Sequence, residues 1–285
     1  MDKETKKTSQ KQGKKAKKTK YRVGYEAARI LALAVFLACA GIIGDKIYGY
    51  IHDDETSKSF VDSIAPNLGV TPRPPERTAP PYPEVTPERV TYPQIITTEE
   101  INRLENYEDF VCWLYIENSN ISNYVVRAED NEFYLRKNID KETNGNGSLF
   151  LDFRNDPDTW RGHNIIYGHN QKNGTMFSDL RDFNDPAYFN EHKLIYTYSG
   201  NGVKIWRVFS AYETSTDDYY IETWFEDDDA YFDFIRNLQN KSVTETDVVL
   251  KSSDVIMTLS TCYKYSNPNG RYVVHAVLVG EAPLA

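Results

Sequence analysis

The placement of proline constrains the folding of this chain more than any other sequence feature. Nine of the thirteen prolines lie between Pro66 and Pro93. Proline fixes φ and has no N–H, so this segment cannot hold a helix or a central strand and favours extended polyproline II. We therefore interpret residues 52–93 as a stalk. The roughly 190 residues from 94 to 285 are enough for one domain with its own core.

The N-terminal region has the pattern of a membrane anchor. Residues 1–29 carry eleven Lys or Arg against three acidic residues, and residues 30–44 carry no charge. Because a span needs about 20 apolar residues, we extend the predicted anchor to residues 30–51. The positive-inside rule then places the basic head, residues 1–29, in the cytoplasm and the rest of the chain outside the cell membrane, on a single span. A cleavable signal peptide is the alternative, since Ala38-Cys39-Ala40 fits a small-residue cleavage site.

Charge is divided unevenly along the chain. The head carries +8 and the whole chain −9, which leaves −17 on residues 30–285. An acidic domain is a poor match for polyanions, so we expect no nucleic-acid partner. Peptides and amines are the expected partners.

Short β-rich runs separated by turn signals dominate residues 94–285 and indicate a mainly β fold. An N-cap Thr and early acidic residues predict a first helix over residues 98–107. A long insertion before the last two strands holds a second helix, residues 226–240, whose apolar stripe we assign to packing. The number of runs favours a closed or nearly closed eight-stranded β-barrel. The predicted strands are 111–116, 123–127, 148–151, 164–167, 193–197, 203–212, 254–259 and 271–279.

Three residues in this domain form a candidate catalytic set. Cys262 follows a buried strand, His169 lies in a Gly-His-Asn turn, and Arg271 begins the last predicted strand. A thiol needs a basic neighbour to become a thiolate, and histidine can move protons. Arginine stays protonated, so it can stabilise an oxyanion but cannot act as a base. We expect the loop over residues 263–270 to place Cys262 and Arg271 side by side.

Several alternatives remain open at the level of the residues. Cys262 could be an ordinary core residue, or could pair with Cys112, which we interpret as a buried small hydrophobe. His275 shares a strand face with Arg271, and His163 lies close to His169 in sequence, so either could be the functional histidine. No tight metal-ligand spacing is present, and we expect neither a metal ion nor a cofactor.

The chain resembles the sortases, and class B among them. The similarity covers about residues 100–280 and includes DFVCWLYI, NEFYL, GSLFLDFRN, NIIYGHN, NGTMFSDL, FSAYET, DDYYIETWF, IMTLSTC and RYVVHAVLV. It implies a sortase-like barrel with an N-terminal helix and a helical insertion before the Cys strand. It also implies that His169, Cys262 and Arg271 are catalytic in a cysteine transpeptidase, and that residues 94–285 are its catalytic domain.

The resemblance further implies the substrates and their contacts. Such an enzyme cleaves a C-terminal sorting signal after its Thr, forms a thioacyl enzyme, and passes the surface protein to an amine of peptidoglycan or its precursor. The implied substrate-binding residues are Asn123, Tyr167, Tyr220, Ile221 and Ser260. The chain departs from its relatives at Cys112, Val125 and Tyr263 and in the short loop after Cys262. Because the resemblance implies that this loop borders the groove, the pentapeptide is undecided between an Asn-Pro and a Leu-Pro type.

Two other functions compete with this interpretation. One is a Cys-dependent peptidoglycan hydrolase or protease that uses water as the acceptor. The other is a non-catalytic, wall-spanning binding module in which the cysteine is structural.

Overall fold

The computed structural model describes residues 35, 39, 41–49, 51–53, 55–56, 59, 91–171, 174–264 and 267–284. The chain divides into two units, Met1–His52 and Asp53–Ala285. The regular elements of the second unit are, in chain order, helix α1 (Thr98–Leu104), strands β1 (Phe110–Ile116) and β2 (Ser122–Val126), a 3₁₀ helix (Phe133–Arg136), strands β3 (Leu149–Leu151) and β4 (His163–Gly168), a second 3₁₀ helix (Ser178–Asn184), helix α2 (Pro186–Glu191), strands β5 (Leu194–Ser199) and β6 (Gly202–Ser215), helix α3 (Asp228–Asn240), and strands β7 (Ile256–Lys264) and β8 (Asn267–Ala282).

The eight strands form a closed barrel in the order β1-β2-β3-β4-β7-β8-β6-β5, and β5 pairs with β1 to close it. Two neighbouring pairs are parallel, β2 with β3 and β4 with β7, and the others are antiparallel. The sequence-based prediction of a mainly β, closed eight-stranded barrel with an N-terminal helix and a helical insertion is confirmed.

Alternation along β8 shows how the barrel wall separates two cores. Tyr272, Val274 and Ala276 belong to a cluster that collects buried residues from all eight strands, which places it inside the barrel. Val273 and Val277 belong to a second cluster, which contains the buried residues of α3. Helix α3 therefore packs on the outer face of β8, and the interior is filled by side chains.

Local sequence explains where the two principal helices begin. Helix α1 is capped by Thr97, which forms a reciprocal capping box with Glu100. Helix α3 is capped by Asp227, whose carboxylate accepts a 2.8 Å hydrogen bond from the Ala230 backbone N–H. The predicted packing stripe of this helix is confirmed, since Tyr231, Ile235 and Leu238 are buried and Phe234 packs against the same cluster.

The connection between the last two strands differs from the prediction. Residues 263–270 were expected to be a loop, but β7 continues to Lys264 and β8 already begins at Asn267. The reason is pairing with a third strand: Gly270 lies opposite Ser215 of β6, and the Asn269 carbonyl accepts from the Thr216 N–H at 2.9 Å. This ladder outweighs the local turn preference of Asn-Gly.

The prediction of a single-pass membrane anchor over residues 30–51 is corrected. Within the described parts of the chain, no helix is both long and apolar enough to cross a bilayer. The predicted cell-membrane location, with a cytoplasmic N-terminus and an external catalytic domain, depended on that anchor and is corrected on the same finding.

Parts of the predicted N-terminal organisation lie outside the described residues. These are the whole basic head, residues 1–29, and positions 30–34, 36–38, 40 and 50 of the predicted anchor. They also include residues 54, 57–58 and 60–90 of the predicted stalk. The boundaries of the head, the stalk and the catalytic domain stay predictions.

Candidate active site

Strand register brings the three predicted catalytic positions together. In the antiparallel pairing of β7 with β8, Cys262 lies opposite Arg271. In the parallel pairing of β4 with β7, Gly168 lies opposite Thr261, so His169 and Cys262 each follow directly after a paired residue. His169, Cys262 and Arg271 therefore lie on three adjacent strands at one end of the barrel wall. Only the backbone placement of Cys262 is described.

The ring of His169 has a fixed orientation. Its Nε2 lies 2.8 Å from the Leu135 carbonyl oxygen in the first 3₁₀ helix. Because a carbonyl oxygen only accepts, Nε2 carries the hydrogen, and Nδ1 is the nitrogen that can exchange a proton. Burial lowers the pKa of the His169 imidazole, while the hydrogen bond to Leu135 acts in the opposite direction.

The backbone before and after this histidine is tightly held. The Phe177 N–H donates to the His169 carbonyl oxygen at 2.9 Å. A Cβ built on Gly168 would overlap the Leu149 side chain and approach a Phe177 ring carbon to 2.7 Å. Only glycine therefore lets the end of β4 pack against these two side chains and still place His169 beside β7.

Arg271 is half-buried and lies between two neighbouring strands. Its Cα is paired with Cys262 on one side and with Thr214 of β6 on the other. Its Nη1 donates to the carbonyl oxygen of Gly270 at 2.9 Å, which fixes the orientation of the guanidinium group. A fixed cation opposite Cys262 is suited to stabilising negative charge on a substrate oxygen.

The two competing histidines lie elsewhere, in a buried chain of hydrogen bonds. His163 Nδ1 lies 2.7 Å from the Glu222 carbonyl oxygen, and its Nε2 lies 2.6 Å from Thr258 Oγ1. Thr258 Oγ1 in turn lies 2.7 Å from His275 Nδ1. Thr258 precedes Cys262 by four residues on β7, so this series of hydrogen bonds lies further along the strand, away from Cys262. The structure thus brings His169, and neither competitor, to the Cys262 end.

Three of the predicted substrate-binding residues cluster next to Cys262. Ser260 precedes Cys262 by two residues on β7. Tyr167 of β4 is paired with Ser260, and the Tyr220 hydroxyl lies 2.8 Å from Ser260 Oγ. Ile221 follows Tyr220 in the β6–β7 connection and is half-buried.

Asn123 lies in β2, away from β4 and β7 in the sequence. Its Nδ2 lies 3.5 Å from the sulfur of Met176, in the connection that follows His169. Its Oδ1 accepts from the Tyr124 N–H at 2.8 Å. Asn123 therefore contacts the connection that follows His169, and neither of these two hydrogen bonds is to the Ser260 group.

Sequence reasoning missed an ion pair beside this cluster. Asp152 and Arg154 follow β3 within the motif GSLFLDFRN, and we assigned them no role. The Asp152 carboxylate is fully buried and lies 2.8 Å from Arg154 Nη2. An acid-x-Arg pattern directly after a buried strand was the available signal. Leu135 gave no signal, because its contribution is a backbone carbonyl.

Metal-ligating side chains do not gather in the described part of the chain. No three His, Cys, Asp or Glu residues among those described are arranged to hold a metal ion.

Comparison with known proteins places this arrangement in a family. Residues 114–279 match the model of the sortase domain family. The chain belongs to the sortase family. Membership implies a cysteine transpeptidase, and the predicted resemblance to class B sortases is confirmed by the relatives that carry that name.

Two curated relatives and one solved structure show how far the similarity extends. Sortase B of Staphylococcus aureus is 36% identical over 188 residues, which cover 66% of this chain and 75% of the relative. Sortase B of Listeria monocytogenes is 36% identical over 173 residues, which cover 60% of this chain and 70% of the relative. A Staphylococcus aureus sortase B–substrate complex superposes with a TM-score of 0.61 at 35% identity, covering 65% of this chain and 86% of that one.

Proposed function

We propose that this sortase cleaves a sorting signal after its Thr, holds the acyl group as a thioester on Cys262, and transfers it to an amine. The observation that carries this proposal is the shared register of β4, β7 and β8, which sets His169, Cys262 and Arg271 side by side. Thiol, imidazole and guanidinium are the three groups that acyl transfer through a thioester requires.

The first half-reaction forms the thioester. The proton of the Cys262 thiol passes to His169 Nδ1, since Nε2 is engaged with Leu135. The thiolate sulfur attacks the Thr carbonyl carbon, and Arg271 donates hydrogen bonds to the oxyanion that develops. The C–N bond then breaks, and His169 gives its proton to the leaving amine.

The second half-reaction reverses these roles. An incoming neutral amine attacks the thioester carbonyl, and Arg271 again stabilises the oxyanion. The C–S bond breaks, Cys262 leaves as a thiolate, and the proton released by the amine is taken up by His169. One amide bond is exchanged for another with no net uptake of water.

The peptide would bind along the surface that leads to Cys262. Tyr167, Tyr220, Ile221 and Ser260 form one side of that surface, and Asn123 contributes from the rim near Met176. Phenol and hydroxyl groups beside apolar surface suit a peptide with both polar and apolar residues. The acceptor would be an amine of peptidoglycan or of its precursor.

Product analysis tests this proposal. The full-length chain is incubated with Asn-Pro-type and Leu-Pro-type pentapeptide substrates, with and without a triglycine acceptor. We expect a ligated product only when the amine is present, and at least ~100-fold lower turnover for His169→Ala and Arg271→Ala. His275→Gln serves as the control, since His275 lies in the buried chain.

Other results would redirect the assignment. Water-cleaved product that is insensitive to added amine would indicate a hydrolase instead of a transpeptidase. Full turnover by His169→Ala together with loss in His275→Gln would move the proton transfer to the other histidine. No reaction with any peptide would favour a binding module.

A further inference from the structure

A buried carboxylate organises one side of the candidate peptide site. Asp152 follows β3 and is fully buried. Its Oδ1 accepts from Arg154 Nε at 2.8 Å, and its Oδ2 accepts from Arg154 Nη2 at 2.8 Å, the Tyr167 hydroxyl at 2.9 Å and Asn131 Nδ2 at 3.0 Å. Burial alone would raise the pKa of this carboxyl group, but the hydrogen bonds from Arg154 and Tyr167 hold it below its ordinary value. Asp152 is therefore a charged anchor with its oxygens occupied.

Arg154 connects Asp152 to a distant segment of the chain, the β6–β7 connection. Its Nη2 also donates to the carbonyl oxygen of Ile221 at 3.0 Å, in the β6–β7 connection. A guanidinium is planar and offers several donors in fixed directions, so Nε and Nη2 together grip the Asp152 carboxylate while the second hydrogen of Nη2 is donated to a backbone carbonyl. The ion pair thereby holds the Ile221 carbonyl, between the Tyr220 contact with Ser260 and the Glu222 contact with His163.

The same ion pair acts on both sides of the Ser260 cluster. On one side, Asp152 holds the hydroxyl of Tyr167, which is paired with Ser260. On the other side, Arg154 holds Ile221, directly after Tyr220, whose hydroxyl meets Ser260 Oγ. The Asp152–Arg154 pair therefore contacts residues on both sides of Ser260.

We infer that Arg154 is a positioning residue that sets substrate affinity by holding the 219–222 segment against β4 and β7. The inference rests on the proposed function, since it concerns the peptide surface of that site. The described hydrogen bonds of the Arg154 side chain go to Asp152 and Ile221 and not to His169 or Arg271. Its loss should therefore weaken peptide binding more than it slows the chemical steps.

Two substitutions in the full-length chain test this inference. Arg154→Ala removes the link to Ile221, and Arg154→Lys keeps a positive charge beside Asp152 but cannot reproduce the bidentate contact with Asp152 that directs Nη2 to the Ile221 carbonyl. We expect KM for the peptide to rise about tenfold in both, with kcat changed by less than about threefold. Hydrogen exchange measured by mass spectrometry should become faster in peptides covering residues 217–225.

Arg207→Ala is the matched control. Arg207 is about as exposed as Arg154 and pairs with Asp247 at 2.6 Å, although Asp247 is exposed where Asp152 is buried. The pair also ties the β6–β7 connection to a strand, here β6, but its contact lies far along the connection from Ile221. We expect this variant to leave both KM and exchange over 217–225 unchanged.

The outcomes separate the inference from the proposed function. Equal effects of Arg154→Ala and Arg207→Ala on KM, or unchanged exchange over 217–225 in both Arg154 variants, would overturn the inference. If the wild-type chain turns over no peptide, the proposed function fails. The exchange measurement then decides by itself whether Arg154 holds the segment: faster exchange supports the inference, and unchanged exchange overturns it.

Discussion

His169 and His163 show how surroundings decide what an imidazole can do. Half-buried at the end of β4, His169 donates from Nε2 to the Leu135 carbonyl, so Nδ1 is the nitrogen that the proposed proton transfer would use. His163 is fully buried, and both of its nitrogens are hydrogen-bonded. A carbonyl oxygen only accepts, so His163 Nδ1 carries a hydrogen and donates it to the Glu222 backbone. Burial lowers the pKa of the ring, so at neutral pH Nε2 is unprotonated and accepts from the Thr258 hydroxyl. The neutral ring thus links Thr258 to the Glu222 backbone.

This link predicts a loss of stability in acid. Burial lowers the pKa of His163 to about 4, against ~6.5 in an unfolded chain. The unfolded chain thus binds the proton first, so the His163 contribution is complete above pH ~6.5 and is lost as the pH falls towards 4, by about 3 kcal/mol. Urea unfolding of the wild type and of His163→Gln at pH 7 and pH 5 measures the part of this stability loss that depends on His163. Equal losses in the two chains would contradict this account.

At the scale of elements, the site depends on where strands end. The end of β4 requires Gly168, because Leu149 and Phe177 occupy the space of a Cβ. The end of β7 is set by the ladder that β8 forms with both β7 and β6. Local sequence predicted each of these strands, but not how far β7 and β8 extend towards each other, because that depends on pairing with distant residues.

Gly168→Ala should separate the fold from the site. We expect a stability loss of about 1–3 kcal/mol from overpacking, and a drop in turnover larger than that loss alone produces, because His169 shifts with the strand end. Denaturant unfolding and peptide turnover measure the two effects.

Gly162→Asn is the control at the start of β4. Gly162 has a positive φ and open space around its Cβ position, a backbone conformation that Asn tolerates. It should change stability and turnover little. Equal behaviour of the two variants would mean that the packing at Gly168 does not position His169.

For the whole molecule, closure of the barrel is the property that the pattern of strands predicted best. The apolar runs and turn signals are local, and they were sufficient for the number of strands, the barrel and the helical insertion. The parallel pairing of β4 with β7 was beyond such reasoning, since it joins residues about ninety positions apart. The contact of Arg154 with Ile221 and that of the Leu135 carbonyl with His169 were missed for the same reason, whereas the Asp152–Arg154 pair left a local pattern in the sequence.

A closed barrel should also protect its interior thiol. Cys112 is buried in the barrel core, and burial raises the pKa of its thiol, whereas Cys39 is exposed. Because closure leaves no free sheet edge, we expect an alkylating reagent to modify Cys39 readily and Cys112 only when the domain unfolds. Peptide mass spectrometry after timed alkylation checks this, and Cys112 labelling as fast as that of Cys39 would contradict it.

The most direct test of the central claim is the intact mass of the full-length chain during turnover. Wild type and Cys262→Ala are mixed with the pentapeptide substrates and quenched in acid within the first turnovers. The account predicts an adduct equal to the peptide portion ending in Thr, bound to Cys262 and removed by added triglycine, and no adduct on Cys262→Ala. Cleavage of the peptide by Cys262→Ala at the wild-type rate would contradict it.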